Sequence, residues 1–164
     1  MEPAPATPEE LDALESRIDH WLNTGAADNP AVDAVERGEP RQRRWYVRVL
    51  GDDKDVWTAW FTLGQRTLRF ETYLMPSPEE NSAEFYAHLL RRNRILTGMS
   101  LHIGEEDAIF LAGSLPVAAV TEAELDRILG SMWAYVERIF KPALRIGFES
   151  RFSDPGQSPD SEMR

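Results

Sequence analysis

At 164 residues and 42% hydrophobic content, the chain suits one globular domain with its own core and is too apolar to stay disordered. It has no cysteine, which excludes disulfides, thiolate zinc sites, iron–sulfur clusters and cysteine nucleophiles together. A formal net charge of −10 opposes phosphate backbones and anionic membrane surfaces, so neither nucleic acid nor membrane is expected as a partner.

Met1 to Glu10 is Pro-rich and acidic and lacks the basic and apolar regions of a signal peptide, so a cytoplasmic protein is expected. Residues 1–6 read as a disordered N-terminus, 7–152 as a single α+β domain, and 153–164 as a disordered tail of Ser, Pro, Asp and Gly. Thr7-Pro8-Glu9-Glu10 is a capping box with Pro at the first helical position. Leu11, Leu14, Ile18, Trp21 and Leu22 then share one helical face, and Asn23-Thr24-Gly25 reads as a stop. Residues 25–43 form a long connection punctuated by Asn29-Pro30, Gly38 and Pro40, with Ala31 to Arg37 suited to a short helical turn. Three alternating segments follow at 45–50, 56–63 and 67–75, separated by short polar turns, which predicts an antiparallel meander. Ser77 and Pro78 are placed to open a second helix running to about Leu96, with Phe85, Tyr86, Leu89 and Leu90 as its apolar stripe. Met99, Leu101 and Ile103 alternate with Ser100 and His102, Gly104 to Asp107 turns the chain, and Ala108 to Leu115 is apolar enough to predict a strand covered on both sides. A second capping box at Thr121-Glu122-Ala123-Glu124 opens a last helix with a wide apolar face from Leu125 to Phe140, which Pro142 should end or kink. The order α-β-β-β-α-β-β-α predicts an α+β fold with an antiparallel sheet packed against helices.

The chain holds no Gly-x-Ser-x-Gly elbow, Walker loop or dinucleotide fingerprint. His20, His88 and His102 fall in three different elements without metal-ligand spacing, and the acidic turns at 52–55 and 105–107 lack the calcium-loop pattern. No catalytic, cofactor-binding or metal residue is therefore assigned, and a non-catalytic protein is expected. An acid–base site would need one of the three histidines in a cleft beside a carboxylate.

The aromatic residues carry more information. Trp57 and Phe61 lie on the fuller apolar face of their strand and should be core. Tyr46, Trp60 and Tyr73 have the opposite parity on three successive strands. With Arg48, Arg69 and Thr62 they make a mixed aromatic and polar surface, of the residue types enriched at binding hot spots. Tyr46, Arg48, Trp60, Arg69 and Tyr73 are the candidate protein-binding face. Periodicity leaves two alternatives: the face is open, or a helix of the same domain covers it.

The stretch from Trp45 to Phe148 resembles the YbjN-domain family, described as bacterial sensory transduction regulators with a type III secretion chaperone-like fold. The resemblance is carried by Leu68-Arg69-Phe70-Glu71-Thr72-Tyr73-Leu74-Met75-Pro76, by the Phe85 helix ending Leu89-Leu90-Arg91-Arg92-Asn93, and by Ala108-Ile109-Phe110-Leu111 before the Trp133 helix. It implies no defined catalytic residues. By analogy with secretion chaperones, it implies a homodimer that holds extended segments of client proteins. The expected function is a regulator or chaperone-like adaptor acting on a still unidentified protein partner. The alternative is a small-molecule sensor with an apolar pocket between sheet and helices.

Overall fold

Thr7 opens the first helix by the reciprocal bonds its sequence calls for. The Glu10 N–H donates to Thr7 Oγ1 at 3.1 Å and the Thr7 N–H donates to Glu10 Oε2 at 3.3 Å. In this computed structural model, which describes residues 1–152, α1 (Pro8–Trp21) does not stop at Asn23-Thr24-Gly25 but winds on through one π-helical turn, Leu22–Ala26. The polar residues read as a stop instead bond backwards: Asn23 Nδ2 donates to Asp19 O at 2.9 Å and Thr24 Oγ1 to His20 O at 2.7 Å.

The long connection yields a strand where a helical turn is expected. β1 (Val32–Arg37) pairs antiparallel with β2 (Arg44–Leu50), setting Val35 opposite Val47 and Arg37 opposite Trp45. Asn29 Oδ1 accepts the Ala31 N–H at 2.9 Å and turns the chain into this strand. An exposed edge ladder beside a formed strand outweighs a weak local helical preference. β3 (Val56–Leu63), β4 (Thr67–Met75), β5 (Ser100–Ile103) and β6 (Ile109–Pro116) complete a six-stranded sheet in the order β1-β2-β3-β4-β6-β5, with every neighbouring pair antiparallel. The antiparallel α+β class thus stands, with β1 added to the expected order.

α2 (Ser82–Asn93) is shorter than its sequence predicts at both ends. Ser77 and Pro78 do not cap it, because the N–H groups of Glu79 and Glu80 donate to Gly147 O at 2.9 and 3.1 Å and hold this segment against the last helix. Asn81 then takes a left-handed conformation (φ 53°, ψ 38°), so helical geometry starts only at Ser82. The last helix, α3 (Glu122–Gly147), continues through Pro142, and α4 (Glu149–Phe152) follows. A proline inside a helix costs about 3 kcal/mol. Ala143, Leu144 and Gly147 beyond it are buried, and that burial holds the final turns in place.

The helices lie on one face of the sheet. Trp45, Val47 and Val49 of β2, Trp57, Ala59, Phe61 and Leu63 of β3, and Leu68, Phe70 and Leu74 of β4 point into them and are buried, as expected for Trp57 and Phe61. Two indoles tie the elements together: Trp21 Nε1 donates to Asp126 at 2.8 Å, joining α1 to α3, and Trp45 Nε1 donates to Asp19 at 2.7 Å, joining the sheet to α1. β6 departs from its expectation of cover on both sides: Ile109 and Leu111 are buried while Phe110 is half-buried and Ser114 exposed. At the N-terminus, Ala6 is buried and its N–H donates to Gln65 O at 2.7 Å, so the chain is held one residue before the expected domain start. The tail expected at 153–164 lies outside the described residues.

Candidate functional site

The second face of the sheet carries no helix among the described residues. Strand register determines what it displays. Tyr46 faces Trp60 across β2 and β3, Trp60 faces Glu71 across β3 and β4, and Tyr73, Phe110 and His102 align across β4, β6 and β5. Phe110 is the hub. Its ring lies 6.4 Å from Trp60, 5.8 Å edge-on from Tyr73, and 5.8 Å from His102 in a stacked pair at 15°. Trp60, Tyr73 and His102 around Phe110, and Tyr46 opposite Trp60, are half-buried, so each leaves part of its ring open to solvent.

These rings floor a cavity of about 480 Å³, lined also by Arg44, Glu71, Gly104 and Glu105. Gly104 is there for a steric reason: a Cβ at this position would sit 2.4 Å from the Phe110 ring. The turn that follows, Glu105–Asp107, places Glu106 and Asp107 at φ 57° and 59°, a strained left-handed pair that holds acidic groups beside the aromatic floor. Burial first, and the Glu106 carboxylate second, raise the Tyr73 phenol above its ordinary pKa.

Lys54 supports the floor from below. It is 5% exposed, donates from Nζ to Tyr73 O at 3.0 Å and Leu74 O at 2.7 Å, and lies 5.0 Å from the Tyr73 ring and 5.3 Å from the Phe140 ring. Burial lowers its pKa to about 8.

Of the five residues singled out from sequence, Tyr46 and Trp60 line the cavity and Tyr73 joins them through Phe110. Arg48 is on the same face but is committed to Asp33 at 3.3 Å. Arg69 is exposed, opposite Thr62 and Ser114, and lies outside the cavity lining. Phe110, His102, Glu71, Glu105, Arg44 and Gly104 were not singled out. The signal for Phe110 was parity: Phe110, Ala112 and Ser114 alternate with Ile109, Leu111 and Gly113, and Ser114 marks theirs as the more polar side.

The histidines do not converge. His20 is exposed and 3.8 Å from Glu122. His88 lies on α2, with its pKa lowered by burial and then by Arg92, and its Nε2 has no hydrogen-bond partner among the described residues. His102 shares the cavity with Glu71 and Glu105, but no hydrogen bond joins it to either among the described residues. Those residues contain no group of three His, Cys, Asp or Glu suited to a metal ion, and none of their helices is long and apolar enough to cross a membrane.

A second feature lies at the β5 edge. Tyr86, Leu89 and Leu90 of α2 and Leu101 and Ile103 of β5 line an apolar groove of about 340 Å³. Leu90 is 70% exposed and Ile103 54%, so the alternation that places Ile103 with buried Leu101 fails at the strand's end.

The family model described as "Putative bacterial sensory transduction regulator" matches residues 17–144. The chain belongs to the YbjN family. Two curated relatives are the mycobacterial "Uncharacterized protein Rv0487" of Mycobacterium tuberculosis, 33% identical over 104 residues, and "Uncharacterized protein ML2442" of Mycobacterium leprae, 32% identical over 107. These matches cover 63% and 65% of this chain but only 57% and 58% of the relatives, so the chain spans little more than half their length. Among solved structures it is similar to the HopA1–SchA chaperone–effector complex (TM-score 0.53, 14% identity, 84% of this chain and 99% of that one). It is also similar to the ExsC–ExsE complex (TM-score 0.50, 15% identity, 77% and 96%). At these identities the likeness establishes the fold: this YbjN domain has the type III secretion chaperone-like architecture.

Proposed function

We propose that this YbjN protein is a non-catalytic, cytoplasmic, protein-binding regulator or chaperone-like adaptor, and that its partner docks on the open face of the sheet. The observation that carries this reading is the uncovered Tyr46–Trp60–Phe110–Tyr73 floor, an aromatic surface left half-exposed where a helix would be expected to cover it. Aromatic side chains give large contact area at low entropic cost, which suits an extended segment laid across the strands. The SchA structure is a chaperone–effector complex, which supports protein binding as a use of this fold. A small-molecule sensor is less well supported. Its expected pocket between sheet and helices is occupied by fully buried rings, including Trp21, Trp45, Phe61, Phe85 and Phe140.

We place a homodimer contact at the β5 edge. This strand has four residues, its outer side is unpaired within the sheet, and the flanking Leu90 and Ile103 are exposed. The Asn93 side chain already holds the Leu101 N–H and C=O, so a second copy would dock there by covering the apolar groove rather than by extending the sheet.

The test is capture of partners from extract of the native host by the wild type, Trp60→Ala and Tyr73→Ala proteins, with melting temperatures measured alongside. A partner bound by the wild type and lost by folded variants supports the face. A partner retained by both variants removes it.

A further inference from the structure

Taking the open face as the docking surface, we propose that its cleft selects a cationic side chain of the partner, an arginine within an extended segment. The floor is aromatic, with the Trp60 and Phe110 rings 6.4 Å apart and Tyr46 opposite Trp60 in register. Aromatic faces attract cations, and a planar guanidinium stacks on them as an ammonium does not.

The rim is acidic. Glu71 and Glu105 line the cleft, and neither carboxylate has a hydrogen-bond or ion-pair partner among the described residues. Six other carboxylates, Glu15, Asp19, Asp33, Asp53, Glu79 and Glu124, each meet an arginine or lysine of the chain itself. Two carboxylates over an aromatic floor without a counter-ion make a receptor for an external cation. Arg44 lines the same cleft but turns its Nε to Thr62 Oγ1 at 3.3 Å and pairs with neither carboxylate. Glu106 adds to the negative field, as its effect on the neighbouring Tyr73 phenol shows. The net charge of −10 favours approach of a basic segment at long range. An acidic partner would find Arg44 alone against two carboxylates, since Arg48 is neutralised by Asp33 and Arg69 stands outside the cleft.

The probe is a set of four acetylated, amidated pentapeptides, Ser-Val-X-Val-Ser, with X as arginine, citrulline, lysine or glutamate. Citrulline keeps the shape of arginine without its charge. Binding is read by NMR from the Trp60 indole N–H, assigned by its loss in Trp60→Phe. The arginine peptide should bind roughly tenfold more tightly than the citrulline peptide at low salt, the combined effect of one cation–π contact and the exposed carboxylates. Glu71→Gln with Glu105→Gln should bring arginine down to the citrulline value at unchanged melting temperature. Equal shifts from all four peptides would overturn the charge selection while leaving the docking face in place. Tighter binding of the glutamate peptide would reverse the sign of the partner. Failure of every peptide to move Trp60 would count against selection and docking together, whereas arginine selectivity without any Trp60-dependent cellular partner would sink only the adaptor reading.

Discussion

Lys54→Met separates burial of a charge from the bonds that charge makes. Lys54 is 5% exposed, no carboxylate among the described residues pairs with it, and burial lowers its pKa from 10.5 to about 8. A folded-state pKa below the unfolded value means the unfolded chain binds more protons between pH 8 and 10.5, so stability rises with pH across that window. At 1.36 kcal/mol per pKa unit, the wild type should gain about 3 kcal/mol between neutral pH and pH 10.5 from this group. The neutral amine keeps two N–H donors, enough for both the Tyr73 and Leu74 carbonyls. In Lys54→Met the gain is absent but the two carbonyls lose their donors, at about 1–3 kcal/mol. The variant should therefore match the wild type at pH 7 to within about 2 kcal/mol and fall behind it progressively above pH 8. Urea denaturation of both proteins at closely spaced pH values measures the difference, which cancels every other titrating group. Parallel stability curves for the two proteins from pH 7 to 10.5 would refute a buried, unpaired, protonated Lys54.

Gly104→Ala drives a methyl into the Phe110 ring, so it should displace the hub of the cleft and weaken any ligand of the open face about tenfold, with a stability loss of about 1–3 kcal/mol by thermal melting. Thr7→Ala removes the N-cap oxygen that accepts the Glu10 N–H and should cost about 1 kcal/mol in urea denaturation. Leu90→Glu places a charge in the α2–β5 groove at a 70% exposed position, so it should leave the monomer's melting almost unchanged while shifting a light-scattering mass from dimer to monomer. An unaltered mass would move the dimer contact elsewhere.

Legibility in the sequence followed how locally each feature is encoded. The capping box at Thr7, the N-cap at Thr121 and the alternation of Trp57, Ala59, Phe61 and Leu63 each depend on a few neighbouring residues, and these formed as read, except that Glu124 turns its carboxylate to Arg127 and leaves the second box half-made. β1 was not legible as a strand because Val32–Arg37 becomes one only by pairing with β2. The start of α2 was displaced by bonds from Glu79 and Glu80 to Gly147, a contact some 68 residues distant in sequence. The passage through Pro142 depends likewise on burial of the turns beyond it. For the site, parity alone put Tyr46, Trp60 and Tyr73 on one face. Glu71 was equally placed by parity and was overlooked because acidic strand residues usually serve only solubility. Phe110, His102 and Glu105 required knowing that β6 lies beside β4 and β5 beyond it.

The two edges of the sheet differ in a way that bears on how the face is used. β1 is guarded by Asp33, Glu36 and Arg37, charges that discourage strand addition. β5 is guarded by Asn93 of α2, which accepts the Leu101 N–H at 2.6 Å and donates to Leu101 O at 3.1 Å, yet it is flanked by exposed Leu90 and Ile103. Apposition of two α2–β5 grooves about an axis perpendicular to the sheet would keep both open faces on the same side. His102 lines both the groove and the cleft, so each cleft begins at the β5 edge and reaches across to β2, with its centre near β4. At about 4.8 Å per strand, the two cleft centres would stand at least roughly 24 Å apart, a span covered by seven or more extended residues at ~3.3 Å each. A partner segment with two arginines at that spacing would engage both sites at once, and the second contact would form at high effective concentration. Weak single contacts on a solvent-exposed aromatic floor then become a stable hold without a deep pocket, which is what an adaptor for extended chains needs and what an enclosed ligand site would not require.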